Sequence, residues 1–201
     1  MYTIDADCLY LPAGIIWLLW LIWKIFFSKK KKTAKRLILN TLAFAYIIMV
    51  FGVTIFPIQN HPLPFPMGHN FMPFNSIIEV ATTMPTSIAI KQLAGNVIMF
   101  LPFGFLVSFY TKKYKFIKCM FYAILFSVLI EFLQFILGET FVGSQYRVVD
   151  IDDVILNLLG AIIGFGIFKI TPHFIKDPFL PQTQRQRMQV YRPEIVSKKR
   201  P

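Results

Sequence analysis

Five long apolar stretches limit this sequence to a small set of folds. They run approximately over residues 9–27, 37–56, 92–110, 116–137 and 151–170. Because a helix rises about 1.5 Å per residue, each stretch is long enough to cross a hydrocarbon core of about 30 Å. The segments between them are short, which places consecutive helices side by side. The sequence therefore predicts an all-α polytopic bundle of about five transmembrane helices, a multi-pass protein of the cell membrane.

The distribution of basic residues predicts the orientation of this bundle. All of the 21 Lys and Arg residues except Lys91 and Arg147 lie on one side of the predicted spans. Since cytoplasmic loops are enriched in Lys and Arg, we predict an amino terminus outside and a carboxyl terminus in the cytoplasm. The net charge of +11 then reflects topology, and we predict no nucleic-acid partner. Asp5 and Asp7 precede the first span without any basic residue, so we expect it to remain as a helix and not to act as a signal peptide.

The chain divides into a membrane domain and a tail. We predict a transmembrane domain over residues 1–170 and a basic cytoplasmic tail over residues 171–201. The tail is polar and contains prolines, so we expect it to be disordered and to contact anionic lipid of the inner leaflet. Residues 57–91 form the longest outer segment and carry six of the 13 prolines. We expect this segment to lie in the membrane interface or to fold back on the bundle.

Polar side chains within the predicted spans form a candidate site. A charged or amide side chain is costly inside a bilayer, so each one is a functional hypothesis. Apart from Lys118 and Lys169 near the inner ends, the predicted topology places the charged and amide side chains of the third, fourth and fifth spans less than about 10 Å below the outer end of their helix. Agreement in depth between three helices indicates a shared outward-facing pocket. The candidate polar pocket comprises Asn96, Glu131, Gln134, Arg147, Asp150, Asp153 and Asn157.

Helical spacing supports this pocket in the fifth span. Asp150, Asp153 and Asn157 are separated by three and four residues and therefore form one stripe, whereas Asp152 lies off it. The fourth span contributes Glu131 and Gln134 in the same way, three residues apart. We predict that both stripes face the interior of the bundle.

A second group of residues is assigned to helix packing. Gly160 and Gly164 continue the stripe of the fifth span with the small-xxx-small spacing that allows close helix approach. Pro102 and Gly104 lie within the third span, where we expect a kink, close packing and carbonyl groups released from the helix.

Several of these side chains have both a structural and a functional interpretation. Arg147 can act as the counter-ion of the nearby carboxylates, or it can bind a phosphate or carboxylate of a ligand. Asn96 and Gln134 can simply hold the bundle together through hydrogen bonds between helices. The sequence leaves both interpretations open for these positions.

Metal and redox chemistry are not indicated. His61 and His69 have no third ligand in an obvious register, so we interpret them as interfacial histidines. Cys8 and Cys119 lie at the starts of different spans and are not expected to form a disulfide. We predict no metal and no cofactor, and the pattern assigns no catalytic residue.

Four blocks of the sequence carry a resemblance to a known family: NFMPFN at 70–75, GNVIMFLPFG at 95–104, IEFLQF at 130–135 and RVVDIDDVILNLLGAIIG at 147–164. In this order they resemble the VanZ-like family, which is named for a teicoplanin-resistance protein. The resemblance implies a small polytopic protein of the cell envelope, most often Gram-positive, associated in some members with low-level glycopeptide resistance. It implies no settled reaction. The positions that match the family are Asn96, Pro102, Gly104, Glu131, Gln134, Arg147, Asp150, Asp153, Asn157 and Gly160.

Four functional hypotheses follow. The first is an envelope protein that contributes to teicoplanin-type resistance because its outward pocket binds an anionic lipid-linked precursor or a lipoglycopeptide. The second is a membrane hydrolase or transferase acting on a wall or lipid precursor with Glu131 or Asp153 as general base, although no nucleophile pair or metal ligand set accompanies them. The third is a small transporter, which the apolar inner half of every span disfavours. The fourth is a purely structural bundle.

Overall fold

The protein is an all-helical bundle with a small ribbon at one end. The computed structural model describes residues 3–27, 34–59, 69–111, 115–141 and 149–171. In chain order the elements are β1 (Thr3–Ile4), α1 (Asp7–Phe27), α2 (Ala34–Ile55), β2 (Ile58–Gln59), α3 (Asn75–Thr83), α4 (Thr86–Tyr110), α5 (Lys115–Phe141) and α6 (Ile151–Ile170).

Five of these helices are long and apolar enough to cross a membrane, as predicted. They are α1, α2, α4, α5 and α6, and their apolar windows coincide with the five predicted spans. The largest difference is at α4, which begins at Thr86 and not near residue 92. Pro85 immediately precedes this helix, in the position where a proline starts a helix without loss of a hydrogen bond.

The closest contact in the bundle joins α4 and α6, and glycines make it possible. A Cβ atom on Gly104 would overlap the backbone of Ala161, and one on Gly160 would overlap the carbonyl oxygen of Val97. Gly164 meets the backbone of Leu101 in the same way. The two helix backbones therefore touch, as the small-residue spacing predicted, and this contact sets the distance between the polar side chains of α4 and α6.

Aromatic side chains fill the space between α2, α4 and α5. Phe103 and Phe126 stack with ring centroids 5.1 Å apart and planes inclined by 7°. Phe100 is completely buried and packs against both rings. Tyr46 of α2 closes this cluster and donates a 2.9 Å hydrogen bond to the carbonyl oxygen of Met99. Since Pro102 has no N–H, α4 has a backbone hydrogen bond fewer in this turn, and Tyr46 provides a donor close to it.

One end of the bundle carries the non-helical structure. β1 and β2 pair antiparallel and so join the start of α1 to the end of α2. α3, the start of α4, the end of α5 and the start of α6 belong to the same end of the antiparallel helices. This α3 end corresponds to the predicted outer side. Within the segment between α2 and α4, the described residues 70–77 are hydrogen bonded to the start of α6. This part therefore folds back on the bundle, which is one of the two arrangements expected for residues 57–91.

Candidate functional site

The start of α6 is the centre of the polar network. Asp150 is its N-cap residue, and its carboxylate accepts a 2.8 Å hydrogen bond from the N–H of Asp152. Such a cap satisfies one of the N–H groups that a helix start leaves unpaired. The N–H of Asp150 itself donates to Oε2 of Glu131 on α5 at 3.1 Å. Two predicted site residues, 19 positions apart in sequence, are thereby joined.

Asn70 connects the α2–α4 segment to this helix start. Its backbone N–H donates to the carbonyl oxygen of Val149, and its carbonyl oxygen accepts from the N–H of Ile151, both at 3.0 Å. Its side-chain amide donates to Asp150 at 2.8 Å and to the Ser76 hydroxyl at 2.9 Å. Asn70, the first residue of the NFMPFN block, is therefore fixed by its main chain and its side chain at once.

Asp152 holds the start of α3. This carboxylate is 1% exposed and accepts hydrogen bonds from the N–H of Phe74 at 2.6 Å and of Ile77 at 3.1 Å. Phe74 has a φ of 67°, and its own side chain makes no cap hydrogen bond. The positive end of a helix macrodipole favours a negative charge in this position. Asp152, which lies off the predicted stripe, is thus the most buried carboxylate of the network.

Asp152 and Asn70 were not among the residues of the predicted pocket. Helical phase assigns Asp152 to a face without other polar residues, but it cannot reveal a partner 78 residues earlier in the chain. The residue types did offer a signal for these contacts. It is typical of helix starts to have an acidic residue in the first turn, as α6 has, or a proline just before the helix, as α3 has.

Asn96 and Asp153 join α4 to α6 below the cap. The Asn96 amide donates to Oδ1 of Asp153 in a short hydrogen bond. These two residues of the predicted pocket come from different spans, and the structure brings them into contact. Glu131, which is 6% exposed, and Asp153 both make further interactions.

Gln134 and Asn157 have partners elsewhere in the bundle. The Gln134 amide donates to the carbonyl oxygen of Thr54 on α2 at 2.8 Å, and so ties α5 to α2. The Asn157 amide donates to the Ser127 hydroxyl at 2.9 Å, and so ties α6 to α5. Both side chains are buried. The contact of Gln134 is of the kind given by its structural interpretation, a hydrogen bond between helices, and Asn157 makes a contact of the same kind. These two hydrogen bonds are separate from the group of hydrogen bonds around Asp150.

Three of the predicted features lie outside the described residues. They are Arg147, His61 and residues 172–201 of the tail. His69 is described, and its Nδ1 accepts a 3.2 Å hydrogen bond from the N–H of Val149. Its ring also packs against Phe135 with centroids 5.5 Å apart. Across the described ranges, no group of three His, Cys, Asp or Glu side chains is arranged to hold a metal ion.

The α3 end is strongly acidic by sequence. Eight of the ten Asp and Glu residues belong to it, and Lys91 is the only Lys or Arg among the described residues at this end. Buried carboxylates are stable only when their oxygens are hydrogen bonded. Here Asp150, Asp152 and Glu131 each accept backbone N–H groups, which supply that stabilisation.

An apolar surface borders this acidic network. Four large side chains of the α3 region are more than half exposed, and together we call them the α3 surface: Phe71, Met72, Phe74 and Ile78. Their backbone is attached to the network through Asn70 and Asp152. Polar contacts and an exposed apolar surface are therefore adjacent at one end of the bundle.

Comparison with known proteins identifies relatives of this chain. A sequence model of the VanZ/LLP1 family matches residues 14–172. Protein VanZ of Enterococcus faecium is 30% identical over 81 residues, which are 40% of this chain and 46% of that protein. The chain thus spans about half the length of this curated relative. No solved structure matches the chain.

Proposed function

The chain belongs to the VanZ/LLP1 family of multi-pass membrane proteins, and from this premise we propose that it binds an amphiphile at the α3 end of the bundle. The proposed ligand is a lipid-linked cell-wall precursor or a lipoglycopeptide. Binding would contribute to tolerance of teicoplanin-type antibiotics, in keeping with the similarity to Protein VanZ.

The observation that carries this proposal is the meeting of three separate segments. The 69–77 region, Glu131 and the start of α6 are joined by hydrogen bonds between residues 19 to 80 positions apart. A bundle that needs only stability can achieve it with apolar packing, because buried ionic groups rarely add net stability. Carboxylates concentrated at one end of the helices are instead suited to ligand recognition.

The chemistry of the site indicates what the ligand carries. Carboxylate and amide groups accept hydrogen bonds from hydroxyl and ammonium groups, which sugars, peptides and glycopeptides contain. Arg147, next in sequence to this network, is suited to a phosphate or a carboxylate of the same ligand. The α3 surface provides apolar contact for a lipid chain. An amphiphile with a polar, partly anionic head satisfies all three features.

Binding to the purified full-length protein in nanodiscs tests the proposal. Asp153→Asn removes the charge at the α4–α6 contact and keeps the shape of the side chain. In the proposed complex a hydroxyl or ammonium group of the ligand donates to this carboxylate. Losing a hydrogen bond to a charged group costs about 1.5–3 kcal/mol, so we expect affinity for the lipoglycopeptide or precursor to fall about tenfold or more. Glu79→Gln, an equivalent change at an exposed position of α3, is the matched control and should bind as the unmodified protein.

Cells provide the second half of the experiment. A deletion strain should become more sensitive to teicoplanin, and Glu79→Gln but not Asp153→Asn should restore tolerance at equal protein levels. Equal binding by the Asp153→Asn variant and the unmodified protein would refute the proposed site. Normal antibiotic tolerance of the deletion strain would refute the proposed resistance role alone.

A further inference from the structure

A groove lies toward the end of the bundle opposite α3, separate from the polar network. It has a volume of ≈ 700 Å³, within the range of about 300–1,000 Å³ typical of ligand sites. It opens between α2, α4 and α5 and reaches Lys118 near the start of α5. We propose that this groove binds one acyl chain of an anionic phospholipid, with the lipid phosphate at Lys118.

The walls of the groove are suited to a hydrocarbon chain. Its deep part is lined by the aromatic rings of Tyr46, Phe103 and Phe126, which belong to the core already described. Leu125 and Leu129 of α5 line the open side and are 56% and 42% exposed. The polar hydroxyl of Tyr46 is hydrogen bonded to the carbonyl oxygen of Met99. The part of Tyr46 that lines the groove is therefore its apolar ring.

The length of the groove matches one leaflet of a bilayer. Its lining on α5 extends from Lys118 to Leu129, and eleven residues of helix rise about 16 Å. Half of a hydrocarbon core of about 30 Å is about 15 Å. A lipid chain with its phosphate at Lys118 would therefore extend along the groove to the middle of the membrane.

Charge identifies the head group as anionic. α5 begins at Lys115, and its first turn contains no acidic residue. A helix start has unpaired N–H groups and a positive partial charge, so lysines there are unfavourable unless an anion is nearby. Lys118 is exposed and one turn from this start, where it can reach a phosphate. By the predicted orientation, this end also lies in the leaflet that contains anionic lipid.

A hydrogen bond joins α2 to α4 at the Lys118 end of the groove. The Tyr110 hydroxyl on α4 donates to Oδ1 of Asn40 on α2 at 2.9 Å. Tyr110 and the buried Thr111 both line the groove, so its polar groups are concentrated at the Lys118 end. The groove is polar where the lipid head group would lie and apolar where the acyl chain would lie.

Lipid retention by the full chain tests this proposal. The protein is reconstituted in nanodiscs of equal parts phosphatidylcholine and phosphatidylglycerol, released into detergent, and analysed for bound lipid by native mass spectrometry. The unmodified protein should retain phosphatidylglycerol in preference to phosphatidylcholine. Lys118→Gln should reduce this preference about fivefold, the effect of about 1 kcal/mol that one lysine contributes near an anionic surface. Lys169→Gln, at the same end on α6, is the matched control and should retain the full preference.

A second variant tests the acyl chain. Leu129→Trp places a larger side chain at the end of the groove farthest from Lys118 and should reduce the retention of both phospholipids, with an unchanged unfolding midpoint. An unaltered lipid preference in Lys118→Gln, or an equal reduction in Lys169→Gln, would overturn the assignment of the head group. Full lipid retention by the Leu129→Trp variant would show that the acyl chain does not occupy the groove.

Discussion

Replacing Gly164 by alanine should separate α4 from α6, and Gly166 provides a control on the same helix. A Cβ atom on Gly164 would overlap the Leu101 carbonyl oxygen and approach the backbone nitrogen of Phe105 to 2.9 Å. Both neighbours are backbone atoms, so the helices themselves must move apart. Overpacking of this kind costs about 1–3 kcal/mol, and we expect the upper part of that range.

The helix propensity of alanine partly offsets this cost. Alanine is favoured over glycine by about 0.8–1 kcal/mol inside a helix, so Gly164→Ala should reduce the free energy of unfolding by about 2 kcal/mol in total. A Cβ atom on Gly166 meets nothing within 4 Å. Gly166→Ala should therefore increase the free energy of unfolding by up to about 1 kcal/mol.

Unfolding in mixed micelles with increasing dodecyl sulphate, followed by circular dichroism, measures both changes. The two substitutions are chemically identical and lie two residues apart on α6. A change in the free energy of unfolding of opposite sign at the two positions is therefore due to the contact between helices. Changes of the same sign and similar size would refute the conclusion that the α4 and α6 backbones touch at Gly164. Gly95→Ala and Gly104→Ala repeat the comparison from α4, since only Gly104 faces a backbone neighbour.

Two further predictions concern the helix cap and the orientation. Asp152→Asn removes the charge that accepts two backbone N–H groups and should reduce the free energy of unfolding by about 1–3 kcal/mol in the same micelle assay, whereas Glu79→Gln should change it little. Cys8 is exposed at the α3 end and Cys119 is buried, so a membrane-impermeant maleimide should label intact cells at Cys8 alone, and Cys8→Ser should abolish the signal. Labelling only after the cells are permeabilised would disprove an outside amino terminus.

The predicted spans agree with the helices because hydropathy over about 20 residues is a local property. The spacing of Gly160 and Gly164 predicted a close approach of another helix, which the structure shows to be α4, because this spacing places both small residues on one face of α6. Asn96 and Asp153 were assigned to one pocket, and their side chains are hydrogen bonded.

Features that depend on distant partners could not be predicted. α3 has few residues and lies in a region rich in proline, so neither length nor composition indicated a helix. Asp152 was left out because a stripe on α6 describes contacts to neighbouring helices, whereas its partners are backbone N–H groups of a turn. Gln134 and Asn157 lie at the predicted depth, but depth does not determine which way they point, and their partners are Thr54 and Ser127.

The capping of α3 by Asp152 has a consequence for biosynthesis. A nine-residue helix is marginal by itself, and this one has no cap from its own flanking side chain. The carboxylate that supplies the cap is translated 78 residues after Phe74. When α3 leaves the ribosome its stabilising partner does not yet exist, so the turn at Asn70 and the helix after it must wait for α6 to enter the bilayer. Among the described membrane-spanning helices α6 is the last to be inserted, and it completes the extramembrane structure begun by an earlier part of the chain. A ribosome that stalls before Asp152 leaves that structure unformed.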